Sequence, residues 1–204
     1  MKVGIIDYGS GNLLSVKNAI DYLGFDVVVF NNPDQIGEFD KLILPGVGAF
    51  GACFSNLQKT GFIPALNNEV LEKKKKILGI CVGLQVMAEY GCEGGVFAGL
   101  SWVASKVVKI EPEVPDLKVP NIGWNTLAYD KNNPLFKNLP DLVNVYFVHS
   151  YHMQCSDPAD IIATCNYGQT VTAAINKGNI FGTQFHPEKS QDIGLKILEN
   201  FVQL

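Results

Sequence analysis

Four short runs, Val3–Ile6, Val27–Phe30, Lys41–Leu44 and Ile77–Cys81, are almost wholly apolar, and amphipathic stretches separate them. Runs so short and continuous read as strands buried on both faces, the situation of a parallel sheet covered by helices. After the first, Val16, Ala19, Ile20 and Leu23 fall on one helical face, and Gly24 ends the pattern. Further helical patterns cover Phe50–Leu57 and Ile63–Leu71, and another is expected from Cys81 to Tyr90. This alternation predicts an α/β fold, with a doubly wound, mostly parallel central sheet and flanking helices. The second half is richer in strands. Trp102–Ile110 alternates, Val143–Val148 and Ile161–Cys165 are apolar, and Val171–Ile175 turns into Ile180–Phe185 through Asn176-Lys177-Gly178-Asn179, a hairpin signal. A last helix buries Ile193, Ile197, Leu198 and Phe201. With no repeat, low-complexity tract or linker, residues 1–204 are expected to form a single domain with one sizeable core.

Ligands of such sheets bind at the carboxyl ends of the strands. There the sequence puts Cys81, in Gly79-Ile80-Cys81-Val82-Gly83, where strand gives way to helix. Gly-x-Cys-x-Gly is the thiol counterpart of the nucleophile elbow, and its glycines permit a sharp turn. The sulfur is expected over a helix N-terminus, which favours thiolate over thiol. A cysteine taken at random is more often an inert core residue; the flanking glycines argue otherwise here. Its base must be His149, His152 or His186. Pro187 biases His186 toward an extended conformation, in which side chains two apart share a side. Glu188 is thereby expected to hold the His186 tautomer and complete a Cys-His-Glu triad. Alone, His186-Pro187-Glu188 reads as a surface turn; the elbow gives it a chemical role. His149 and His152 read as structural, since the triad already has its base.

Composition narrows the alternatives. Hydrophobic residues are 47% and charged residues 18% of the chain, which fits an ordered globular protein rather than a disordered one. A net charge of −4 leaves no footprint for nucleic acid or an anionic membrane. Lys73-Lys74-Lys75-Lys76, the one basic run, reads as a solvated helix end. The five cysteines show neither CxxC nor zinc-ligand spacing, so no metal is expected and a reducing cytoplasm suits them. Lys2 leads directly into a strand, so no leader is expected, and no apolar stretch is long enough to span a bilayer. Gly9-Ser10-Gly11 follows the first strand, but Leu14 stands where a dinucleotide fingerprint needs its third glycine. No phosphate loop occurs elsewhere.

Gly79 to Gly83 with Gln85, and Phe185 to Glu188, resemble the two signatures of the class I (triad) glutamine amidotransferases. Leu44–Phe50 resembles the oxyanion loop of one branch of that family, and Tyr146–Tyr151 its glutamine-carboxylate strand. With Asp7–Asn12, Pro120–Asn125 and His186–Ser190 added, the chain from Val3 to Phe201 is similar to the HisH family, the glutaminase subunits of imidazole glycerol phosphate synthase. The resemblance implies that Cys81 attacks the carboxamide of L-glutamine. It implies oxyanion donors from Val82 and the Gly46-Val47-Gly48 loop, and a glutamine site made by Gln85, Glu93 and the His149, Ser150 and Tyr151 backbone. Asn12, Asn121, Trp124 and Tyr146 would meet a partner, a (β/α)8-barrel cyclase that receives the ammonia in a heterodimer. No cofactor is implied.

The family usually carries histidine where Asn121 stands. That departure keeps open a paralogous role, supplying ammonia for amidino groups on surface sugars. Two further readings are a free-standing γ-glutamyl hydrolase, opposed by the Pro45–Phe50 and Gly123–Asn125 segments, and a non-catalytic regulatory subunit, opposed by the intact triad.

Overall fold

In the computed structural model, which describes residues 1–204, the first half runs β1 (Lys2–Ile6), α1 (Leu13–Tyr22), β2 (Asp26–Phe30), β3 (Lys41–Gly46), α2 (Phe50–Lys59), α3 (Phe62–Leu66), β4 (Lys76–Cys81) and α4 (Val82–Gln85). The second half adds β5 (Tyr90–Gly91), β6 (Phe97–Ala98), β7 (Ser105–Lys109), β8 (Asn121–Thr126), β9 (Ala128–Tyr129) and β10 (Asn144–His149). It closes with β11 (Tyr151–Cys155), β12 (Ile161–Asn166), β13 (Thr170–Lys177), β14 (Ile180–Thr183) and α5 (Gln191–Gln203).

The main sheet has the order β2-β1-β3-β4-β14-β13-β12-β9. Its first five strands are parallel, and the hairpin of β13 and β14 begins an antiparallel flank. The sheet is therefore mixed, as the strand-rich second half implied. The order also brings the late strand β14 directly against β4. Two smaller sheets, β10-β8 and β11-β7-β5-β6, stand beside it, and one continuous core of 55 buried residues joins all of them. The α1 face Val16, Ala19 and Ile20 and the α5 face Ile197, Leu198 and Phe201 are buried as the helical spacing requires; Ile193 is only partly covered.

The helix expected from Cys81 to Tyr90 is much shorter. It stops at Gln85 because the following carbonyls are taken by another segment. Val86 O accepts from Leu100, Met87 O from Trp102 and Val103, and Ala88 O from Ser101. Val86, Met87 and Ala88 are all fully buried, so their apolar character reflects enclosure on every side, not one helical face. Ile63–Leu71 similarly becomes the short α3 followed by a wider, π-type turn over Asn67–Glu72. Only Ser105–Lys109 of Trp102–Ile110 is strand.

Candidate active site

Strand register assembles the site. Gly46 at the end of β3 lies opposite Cys81 at the end of β4, and Thr183 at the end of β14 lies opposite Ile80. The segment after β14 therefore emerges beside Cys81. Here the backbone departs from the sequence reading. The turn is taken by Cys81 itself, at φ +55° and ψ −113°, while neither Gly79 nor Gly83 has positive φ. The two glycines are needed for close approach. A Cβ on Gly83 would stand 1.8 Å from Leu44 O, and one on Gly79 2.7 Å from Gly83 O. A non-glycine residue at positive φ costs on the order of 1–3 kcal/mol and persists only where its surroundings enforce it. That enforcement is visible here, and it aims Sγ into the cleft. With α4 only four residues long, its dipole contributes little to the sulfur's surroundings.

The His186 Nδ1 lies 2.8 Å from Glu188 Oε1, with both side chains buried. Pro187–Lys189 forms a tight turn, so the pair is made across that turn and not along an extended strand. Because a carboxylate can only accept, Nδ1 carries the hydrogen, and Nε2 is left toward Cys81. Nε2 makes no hydrogen bond of its own. The ring's pKa is pushed up to about 9: burial works against its charge, but the neighbouring Cys81 sulfur and the Glu188 carboxylate outweigh it. Three bonds fix the ring's backbone: His186 N–H to Tyr146 O (2.9 Å), Ser190 Oγ to His186 O (2.6 Å) and Tyr146 N–H to Ser190 Oγ (3.0 Å).

A cleft of about 390 Å³ surrounds this pair. Cys81, Val82, Gln85, Glu93, His149, Ser150, Tyr151 and His186 line it with Val47, Gly48, Pro120, Val148 and Lys189. Gly46 lies behind it as a spacer, since a Cβ there would sit 2.4 Å from Gly83 N. Val47 and Gly48 form the exposed tip of the loop; the Cys53 thiol donates to Val47 O (3.3 Å), and Gly48 takes φ +94°. Glu93 joins the cleft because its Oε2 accepts from Phe50 N–H at the start of α2 (2.8 Å).

His149 and His152 are both buried and held neutral, with burial pushing each down to about 4. His149 lines the cleft, and His152 does not. His149 donates from Nδ1 to Tyr151 O (2.8 Å) and accepts at Nε2 from Asn121 Nδ2 (3.1 Å), while Asn121 Oδ1 accepts from Asn125 (2.8 Å). This corrects the expectation for Asn121. It is wholly buried and has no surface to offer a partner; it braces His149 from behind. Trp124 and Tyr146 do face outward. They pair edge to face across β8 and β10 with centroids 6.0 Å apart, beside exposed Ile122 and Leu142. Asn12 precedes α1, half-buried, without capping it.

Two cleft neighbours had no assigned role in the sequence reading. Lys189 lies with Nζ 5.9 Å from the Tyr146 ring centroid, and Gln184 reaches Cys81 from beneath. The period-two rule that paired His186 with Glu188 points equally to Gln184.

A thiol on a strained elbow, a histidine–carboxylate pair beside it and a cleft at the carboxyl edge of a parallel sheet define a triad-type thiol amidohydrolase. The family model for "Glutamine amidotransferase class-I" matches residues 4–204. The HisH 1 subunit of imidazole glycerol phosphate synthase from Campylobacter jejuni (strain RM1221) is 46% identical over 202 residues, covering 99% of this chain and 100% of the relative. The HisH subunit from Rhodopseudomonas palustris is 43% identical over 213 residues, covering 100% and 99%. Among solved structures, PurLQS from Thermotoga maritima has a TM-score of 0.76 at 16% identity, covering 99% of this chain and 97% of that one. A further glutamine amidotransferase has a TM-score of 0.75 at 17% identity, with 98% of each chain covered; both likenesses concern the fold. The chain belongs to the class I glutamine amidotransferases and, within them, to the HisH family.

Proposed function

We propose that this chain is the glutaminase subunit of an imidazole glycerol phosphate synthase, hydrolysing L-glutamine and passing ammonia to a cyclase of (β/α)8-barrel fold in a cytoplasmic heterodimer. The observation that carries the reaction is the Cys81 elbow facing the buried His186–Glu188 pair inside a cleft.

Glutamine enters with its carboxamide at Cys81. The sulfur's electron pair forms the S–C bond, and the oxygen becomes an oxyanion received by the amide of Val82 and one from the Gly46-Val47-Gly48 loop. His186, protonated at neutral pH by virtue of its raised pKa, gives a proton to the departing nitrogen as the C–N bond breaks. The neutral ring then takes a proton from water, whose oxygen attacks the thioester; glutamate leaves and the thiolate is restored. Glu188 holds the ring throughout. Gln85 Nε2 is already committed to Tyr151 O and Gln184, which leaves Oε1 as its acceptor toward the substrate.

Ammonia set free in water is protonated and loses its nucleophilicity, so its acceptor has to be close. Exposed Trp124 and half-buried Tyr146 lie over the same strand, β10, whose Tyr146 carbonyl holds His186, and this supports docking of the cyclase there. Histidine biosynthesis is the pathway favoured, because the curated relatives at 40–46% identity carry the HisH name. The test is Cys81→Ser in the complex: glutamine-dependent synthesis is expected to vanish, while synthesis from added ammonium salt persists. Retained glutamate release would remove Cys81 from its role. Low glutamate release by the isolated chain, rising by about two orders of magnitude or more with the loaded partner, is expected if docking completes the oxyanion loop.

A further inference from the structure

Gln184 stands two residues before His186, and its side chain is fully buried. Its backbone N–H is spent on Ala173 O (2.8 Å). Its carboxamide bridges two groups of the site: Oε1 accepts from Gln85 Nε2 at 3.0 Å, and Nε2 lies 3.8 Å from Cys81 Sγ with donor geometry. It gives the sulfur a donor distinct from His186, whose Nε2 is left without a close hydrogen-bond partner.

Which end of an amide meets a neighbour has to be argued from its partners. A main-chain carbonyl decides it here. Tyr151 O can only accept, so Gln85 meets it with Nε2, at 2.9 Å. The second hydrogen on that nitrogen points at Gln184, which must answer with oxygen. Nε2 of Gln184 is then the end left for the sulfur. Turning the Gln184 amide over would set N–H against N–H at Gln85. The polarity of the chain Tyr151–Gln85–Gln184–Cys81 is thus fixed from one backbone atom.

We propose that Gln184 is a catalytic hydrogen-bond donor to the Cys81 sulfur, holding it as thiolate before attack and again as it leaves the thioester. The proposal rests on Cys81 being the nucleophile. In the second half of the reaction water oxygen bonds to the acyl carbon, the C–S bond breaks and its electron pair returns to Sγ. His186 is occupied at that moment with the proton from water. An amide N–H gives up no proton at these pH values, so Gln184 supports the sulfur without competing for the one His186 moves. Hydrogen bonds to charged partners are the stronger kind, and this one is shielded from solvent.

The experiment is alkylation of the full chain by iodoacetamide across a pH series, with Cys81 and the exposed Cys92 followed separately by peptide mass spectrometry. In Gln184→Met the Cys81 rate at pH 7 is expected to fall about tenfold or more, with the midpoint of its pH profile moved upward, while Cys92 is unchanged. Gln85→Met leaves Gln184 in place but removes its anchor, and should move the Cys81 profile the same way by less. Turnover of the Gln184→Met complex should lose kcat, with KM for glutamine within about twofold of the native value. A Cys81 profile identical to native in Gln184→Met, or a loss confined to KM, overturns the proposal. Should Gln184→Met not fold, Gln85→Met decides, and an unmoved profile there overturns it. A native Cys81 that resists alkylation at every pH while Cys92 reacts would instead overturn the reading of Cys81 as nucleophile.

Discussion

Acid should weaken this fold through two histidines. His149 and His152 each go from about 6.5 in the unfolded chain to about 4 in the folded one, because burial excludes the charged ring. The unfolded chain then binds protons that the folded chain refuses, so stability is complete above about pH 6.5 and is lost as pH falls toward 4. Each histidine accounts for about 3 kcal/mol across the whole window, and about 2 kcal/mol of that by pH 5. Together they remove about 4 kcal/mol between pH 7 and pH 5, equivalent to a fall in Tm of about 10 °C for a chain of this length. His186 does not offset this. Its folded pKa is raised, so below pH 6.5 it is protonated in both states and its stabilisation, which is lost only as pH climbs toward 9, stays constant. Urea unfolding followed by circular dichroism at half-unit steps from pH 7 to 5 measures the slope, expected to reach about two protons taken up per molecule unfolded. Protonating His149 would also set donor against donor at Asn121, so Asn121→Asp, which supplies an acceptor, should halve the slope. A slope of less than one proton, or a full slope that persists when Asn121→Asp and His152→Gln are combined, would refute the reasoning.

Gly83→Ala should cost several kcal/mol of stability and nearly all activity, because the new methyl group meets the Leu44 carbonyl; the urea midpoint and glutamate release read both. Glu188→Gln should lower kcat about tenfold or more and shift the alkaline limb of the pH–rate profile below its native position, since a neutral amide no longer holds the His186 charge. Trp124→Ala should leave the fold and basal hydrolysis intact while weakening partner affinity about tenfold or more, measured by titration of the purified subunits.

The parallel half of the sheet was legible because β1 to β4 are short apolar runs that nothing but enclosure explains. The meeting of Cys81 with the His186–Glu188 pair in one cleft was legible for a different reason: these residues lie in two compact local patterns, each with its own geometry. What escaped was whatever depends on segments distant in sequence. The early end of α4 is decided by amides from Gly99 to Val103, which no local pattern announces. Gly79 and Gly83 were read as relaxing the turn, whereas Leu44 O and the packing of α4 require them and Cys81 bears the positive φ. Asn121 was placed at a partner contact by the family resemblance, but which face of β8 is covered is set by its pairing with β10. Gln184 carried a usable signal, its even spacing from His186, yet its partner Gln85 comes from the other half of the chain.

The insertion of β14 between β4 and β13 has a consequence for how activity arises during synthesis. Cys81 leaves the ribosome about a hundred residues before His186, and until the β13–β14 hairpin docks, β4 is a bare sheet edge. The emerging chain therefore carries a thiol with no base and no finished cleft, and it is chemically mute. Closing so distant a pairing is slow relative to local helix formation, which makes docking of this hairpin the event that switches the enzyme on. A cut in the Lys177–Asn179 turn would leave β14 held in that place only by its ladders to β4 and β13.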